Sequence, residues 1–117
     1  MLVTKEFTFD SAHNLPNYHG KCERLHGHTY RLQVTIEAPI EPASGMALDF
    51  AILGDIVQRE VVEPLDHRYL NEIIPISSAE NVVLWIWSRV REKLKRARLA
   101  EIKLWETPTS SVTYRGE

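Results

Sequence analysis

Cysteine is almost missing: Cys22 is the only one among 117 residues. One thiol cannot build an intramolecular disulfide framework, and a lone free cysteine fits a reducing compartment, so a cytoplasmic setting is expected. Long apolar runs are missing as well. No stretch approaches the ~18–20 residues of a membrane span. The first six residues, Met1-Leu2-Val3-Thr4-Lys5-Glu6, alternate with charge and lack a signal-peptide core. There is no cationic excess. Lys plus Arg is 14 against 16 for Asp plus Glu, a formal net charge of −2, which speaks against nucleic acid as a partner. Internal repeats and low-complexity tracts are absent. With 44% hydrophobic and 26% charged residues, the composition is that of an ordinary globular chain, which excludes disorder, collagen and coiled coil. The length predicts one domain over 1–117. Histidine is the abundance: four of the five lie between positions 13 and 28.

The hydrophobic pattern predicts an α+β chain in the order ββααββ. Val3, Lys5, Phe7 and Phe9 alternate with Thr4, Glu6 and Thr8, the period of a half-buried strand over about 2–9. Asn14, Pro16, Asn17 and Gly20 mark 10–25 as loop. His28, Tyr30, Leu32, Val34 and Ile36 then share one face of a second strand, before Pro39, Pro42 and Gly45. Asp49 is a fitting N-cap for a helix over about 50–62 carrying Phe50, Leu53, Ile56, Val57 and Val61, with Pro64 ending it. Ser77 and Glu80 suggest a capping box for a second helix over about 78–96, with Val83, Ile86, Trp87, Val90 and Leu94 as its buried stripe. Its basic C-terminal half, Arg89 to Arg98, reads as a solvated face that suits the helix dipole. Ile102 and Leu104 mark a third strand and Ser111 to Arg115 a fourth. The expectation is an antiparallel four-stranded sheet with two helices on one face, whose open edges suit oligomerisation.

His26-Gly27-His28 places two imidazoles at i and i+2, on one face of a strand and within reach of one metal ion. His13, just past the first strand, joins them if the first two strands form a wide hairpin. Three neutral imidazoles suit Zn²⁺ and leave the open coordination position of a catalytic site. Cys22 has three readings: an inert thiol, the fourth ligand of a closed structural site, or a reactive thiolate with Lys21 and Arg24 as nearby cations. His19 reads as an exposed loop residue. Asp66-His67 is either a surface turn or a carboxylate orienting an imidazole for proton transfer. Glu106 shares parity with Ile102 and Leu104. It either reaches solvent at the strand end or meets a ligand carrying paired N–H donors, since a carboxylate on the apolar face wants a partner.

Together, Phe9-x-Ser11-Ala12-His13, Cys22-x-x-x-His26-Gly27-His28, Leu65-Asp66-His67-x-x-Leu70-Asn71, Ser78-x-Glu80-Asn81 and Glu106-Thr107 with Tyr114-Arg115 resemble the 6-pyruvoyltetrahydropterin synthase family over nearly the whole chain. The short Cys-to-His spacing resembles its bacterial and archaeal branch, the 6-carboxytetrahydropterin synthases of queuosine and 7-deazaguanine biosynthesis. The resemblance implies a tunnelling fold (T-fold), in which subunits join edge to edge into a barrel with active sites between them. The expected assembly is a homo-oligomer, a hexamer built as a dimer of trimers or a tetramer. His13, His26 and His28 would bind zinc. Cys22 would be the general base, and Asp66 with His67, from a neighbouring subunit, a proton relay. Glu106 and Thr107 would hold the pterin's amino-pyrimidine edge, and the segment with Met46 and Leu48 would line the pterin pocket. Lys21, Arg24, His19 and Arg68 are candidates for the triphosphate. Rival readings are 6-pyruvoyltetrahydropterin formation, an aldolase-like cleavage of dihydroneopterin, and a non-catalytic zinc-stabilised interaction module. The last would leave Asp66, His67 and Glu106 unexplained.

Overall fold

A computed structural model describes residues 1–117. Strand β1 (Leu2–His13) pairs antiparallel with β2 (His26–Glu37) along its whole length, from Leu2 opposite Glu37 to His13 opposite His26. The two-residue strand β3 (Arg68–Tyr69) lies parallel to β1 at Ser11 and Ala12. On the other side of β2 come β4 (Arg98–Thr107) and β5 (Ser110–Tyr114), both antiparallel to their neighbours. The sheet order is β3-β1-β2-β4-β5. Five strands rather than four is a small departure. Both β3 residues are exposed, so no hydrophobic period announces them; backbone pairing to β1 makes the strand.

The larger change is at the end of β1. Residues 10–13, expected as loop, continue the strand, and alternation carries through them: Phe9, Ser11 and His13 are buried. His13 is therefore the last residue of β1 rather than the first beyond it.

Helix α1 (Phe50–Val57) starts at Asp49, whose Oδ1 accepts from the Ala51 N–H at 2.8 Å. It runs into a π-helical turn, Gln58–Val62, and a last turn α2 (Glu63–Leu65). Pro64 does not end the helix as expected. It occupies the first turn of α2, where the change of hydrogen-bond register leaves room for a residue without an N–H. Phe50 is exposed, and the buried face is Leu53, Ile56, Val57, Val61, Val62 and Leu65. Helix α3 spans Ala79–Lys93, three residues shorter than expected at its C-terminal end. Its N-cap is Ser78, whose Oγ accepts from the Asn81 N–H at 3.2 Å. Ser77 is fully buried and serves elsewhere, so the expected capping box does not form.

The helices pack on the sheet face that carries Phe9, Tyr30, Leu32, Val34, Ile36, Ile102 and Leu104. Half of the basic cluster on α3 and β4 is paired: Arg89 and Lys93 with Glu60, Arg98 with Glu37. No helix is long and apolar enough to cross a membrane.

Candidate metal centre and active site

Strand pairing builds the site. Full register between β1 and β2 puts His13 opposite His26 and Ser11 opposite His28, all on the helix-bearing face at the end of the hairpin joined by the 14–25 loop. The ring centroids lie 4.6 Å (His13–His26), 5.1 Å (His13–His28) and 4.8 Å (His26–His28) apart. One ring nitrogen from each falls within 4.8 Å of the others, a spacing that can hold one metal ion.

The hydrogen bonds fix which nitrogens face inward. His13 Nδ1 lies 2.8 Å from the Ser77 carbonyl and His26 Nδ1 2.7 Å from the Arg24 carbonyl. A carbonyl only accepts, so both Nδ1 atoms carry hydrogen and both Nε2 atoms keep a free lone pair. This is the outer-shell arrangement that orients metal-binding imidazoles. His28 Nε2 is buried with no hydrogen-bond partner, which is costly unless a ligand satisfies it. Burial pushes the His28 pKa down, as do His13 and His26, while Glu106 opposes the shift; the ring is held in the neutral, ligating form. Zinc therefore fits these residues, in a three-nitrogen set with room for substrate.

Glu106 stands beside them. The β4–β5 register shifts between Trp105 and Thr107, leaving Glu106 without a partner on β5. Such bulges re-aim side chains, and this one points inward: its carboxylate oxygens lie 3.9 Å from His13 Nε2 and 3.7 Å from His28 Nε2. Its carboxylate also lines a cleft with Thr107, where a ligand's paired N–H donors could reach it. Beneath the group lies Tyr30, its hydroxyl 3.4 Å from His13 Nδ1. Burial, then Glu106, pushes the phenol pKa well up and keeps it protonated.

The Asp66-His67 pair is stitched to the outer end of β1. The Asp10 N–H donates to Asp66 Oδ1 at 2.9 Å and the His67 N–H to the Asp10 carbonyl at 2.6 Å. The His67 backbone is left-handed, with φ 57°, a strain on the order of 1–3 kcal/mol that marks functional sites more often than others. Its Nδ1 is 2.9 Å from Asp66 Oδ2. A cleft of about 590 Å³ is lined by His67, Arg68 and Tyr69 on one side and by Gly27, His28 and Thr29 on the other. His67 and His28 thus border the same cleft within one chain. A second cleft, about 510 Å³, runs from His28 past Glu106 and Thr107 to Arg31 and Trp105.

The hydrogen bond that His67 donates to Asp66 raises the His67 pKa, and the carboxylate's charge adds to the effect. The Asp10 N–H, then His67, lowers that of Asp66. The pair's contribution is complete between the ordinary carboxylate and histidine values, and is lost as pH rises through the raised histidine value or falls through the depressed carboxylate value. An NMR titration should show His67 holding its proton above the ordinary histidine range. Asp66→Asn should bring that midpoint down; an unchanged midpoint would remove Asp66 as the cause.

Other expected residues stand further off. Cys22 is half-buried in the 3₁₀ turn Lys21–Glu23 and lies outside the histidine group. Its carbonyl accepts from the Leu15 N–H at 2.7 Å, closing the loop between β1 and β2. Lys21 and Arg24 line a separate, shallow cleft with Gly20 and Glu23. His19 is exposed, 3.6 Å from Glu23. Met46 pairs with Glu41 beyond the Glu37 end of β2, the end opposite His26. Met46 and Leu48 are thus separated from the Asp66 end by the 50–65 helical segment, about 24 Å at 1.5 Å per residue. One chain does not bring them to its own histidines. Sequence reasoning cast Ser77 only as a helix cap and gave no role to Asn71, although Leu70-Asn71 was part of the resemblance.

Residues 2–117 match the family model described as 6-pyruvoyl tetrahydropterin synthase. The chain is 34% identical to the 6-carboxy-5,6,7,8-tetrahydropterin synthase of Haemophilus influenzae, with 96% of each chain covered. It is 31% identical to the human 6-pyruvoyl tetrahydrobiopterin synthase, covering 98% of this chain and 91% of that one. Among solved structures, the 6-pyruvoyl tetrahydropterin synthase of Caenorhabditis elegans superposes with a TM-score of 0.90 at 26% identity, over 100% of this chain and 96% of that chain. The fold is the tunnelling fold that the motifs implied, and the chain belongs to the 6-pyruvoyl tetrahydropterin synthase family.

Proposed function

We propose that the chain is a zinc-dependent lyase converting 7,8-dihydroneopterin triphosphate to 6-carboxy-5,6,7,8-tetrahydropterin, in queuosine and 7-deazaguanine biosynthesis. One water enters, the bond between the first two side-chain carbons breaks, and acetaldehyde and triphosphate leave. The observation that carries this reading is the convergence of His13, His26 and His28 on one point, with His28 Nε2 buried and unpartnered. Zinc held there would supply a Lewis acid for the substrate's side-chain oxygens.

The chain's own groups divide the remaining work. Cys22 takes the side-chain proton as general base. Asp66 holds His67 charged, so His67 can return a proton to the departing fragment. Glu106 faces the imidazoles and so the reacting side chain. Glu106 also borders the cleft that runs past Thr107, which suits a carboxylate that accepts from the paired N–H donors of the amino-pyrimidine edge. Thr107 lines the cleft alongside, and Arg68, at the cleft it shares with His67 and His28, is the cation best placed for triphosphate.

The assembly reading rests on open edges. β3 covers only Ser11 and Ala12 of β1, and the outer edge of β5 has no partner. Unpaired edges are templates for pairing between chains. Joining them edge to edge in a homo-oligomer lets a neighbour supply the Met46–Leu48 segment that this chain holds away from its own histidines.

Mass spectrometry of the products tests the reaction. The expected result is 6-carboxytetrahydropterin with an equivalent of acetaldehyde. A 6-pyruvoyl product without acetaldehyde, or cleavage of unphosphorylated dihydroneopterin alone, would reassign the chain within its fold.

A further inference from the structure

We propose that Asn71 is a positioning residue for His13, fixing the imidazole from both sides through one amide. Asn71 Oδ1 accepts from the Asn14 N–H at 3.1 Å and from the Ser77 hydroxyl at 2.8 Å. Its Nδ2 donates to the Asn14 carbonyl at 2.8 Å and the Pro75 carbonyl at 3.1 Å. Every donor and acceptor of the amide is used. Two of the bonds grip both backbone groups of Asn14, the residue after His13. β1 ends at His13, so the Asn71 side chain stands in for the next rung of a ladder that has no strand to continue it. A third bond holds Ser77, whose carbonyl takes the His13 Nδ1 hydrogen. Tyr69, two residues earlier, adds a bond from its hydroxyl to Asn14 Oδ1 at 2.5 Å.

The ring of His13 is thereby set in rotation and in tautomer. His13 is the buried member of the metal group, 1% exposed, so nothing else can re-aim it without disturbing Tyr30 or Ser77. His26 takes its orientation from the Arg24 carbonyl, and Asn71 touches neither it nor His28. The effect should fall on one ligand of three. Asn71 also lies four residues beyond His67, on the segment sewn to β1 through Asp66, His67, Arg68 and Tyr69. The metal ligand and the acid–base pair therefore share one anchored stretch.

This inference rests on the reading that the three histidines hold zinc, and two readouts on the full chain separate the two. Zinc affinity is measured by competition with a chromophoric chelator, and the His13 tautomer by ¹⁵N NMR. Asn71→Ala should weaken zinc by about 10–100-fold, the usual cost of losing an outer-shell partner, and should turn the single Nδ1–H tautomer into a mixture. Asn71→Asp keeps both acceptor bonds and should recover part of the affinity. It carries the test should the alanine variant fail to fold. Val90→Ala, buried on α3 roughly three turns away, should lower stability while leaving affinity and tautomer unchanged. Unsubstituted affinity and a single tautomer in a folded Asn71 variant would overturn the inference, as would an equal loss in Val90→Ala. An unsubstituted chain that binds no zinc would overturn the metal reading, and the tautomer would still judge Asn71.

Discussion

Cys22→Ala is expected to lower side-chain cleavage by at least ~10²-fold, the typical loss on removing a general acid–base group, while zinc content stays near that of the unsubstituted protein. The reason is the division of labour in the site. His13, His26 and His28 can hold a metal ion by themselves, with Cys22 outside their group on the Lys21–Glu23 turn. Removing the thiol leaves three nitrogen ligands and an open position. Substrate should still bind through the metal and the clefts on either side of His28. Metal analysis and a turnover assay on one preparation read both quantities. If Cys22 is instead a fourth structural ligand, Cys22→Ala loses zinc and melts at a lower temperature. Zinc loss, or turnover equal to that of the unsubstituted protein, would end the assignment of Cys22 as base.

His28→Ala should have the opposite signature. Two imidazoles hold zinc weakly at physiological pH, so the variant should lose most of its metal and nearly all cleavage. Folding should survive better than metal binding, because the buried core under the helices does not include His28. Removing His28 also removes a buried ring nitrogen that has no partner in the chain, which favours the metal-free fold rather than harming it. His13→Ala should be harsher on stability, because it strands the Ser77 carbonyl and opens a space beside Tyr30. Full zinc retention in His28→Ala would remove that residue from the ligand set.

The histidine group was legible because it follows the plainest rule in the sheet. A period of two puts His26 and His28 on one face, and the same period, continued four residues past the expected end of β1, puts His13 there too. Strand β2 and the helical stripe of Val83, Ile86 and Val90 were legible for the same reason: burial repeats at the period of the element. What the pattern missed lies where no period operates. β3 has two exposed residues, Arg68 and Tyr69, held by backbone pairing alone. The choice between Ser77 and Ser78 as helix cap turns on which hydroxyl meets the Asn81 N–H and which is drawn to Asn71, a tertiary contact. Asn71 meets Asn14 across 57 positions, so no local signal could assign it. The inward turn of Glu106 depends on a bulge set by the short β4–β5 connection, and the left-handed backbone of His67 on the grip of Asp10. The separation of Met46 from the histidines is likewise a product of where α1 starts and where it delivers Asp66.

The central claim is that metal held by His13, His26 and His28 drives cleavage of the substrate's side chain. Its most direct test strips the protein with a chelator, returns zinc stepwise, and follows acetaldehyde released from 7,8-dihydroneopterin triphosphate. The expected result is no release from the stripped protein, a rise proportional to added zinc, and a plateau near one zinc per chain. Full release before zinc is returned, or a plateau reached equally by His28→Ala, would contradict it.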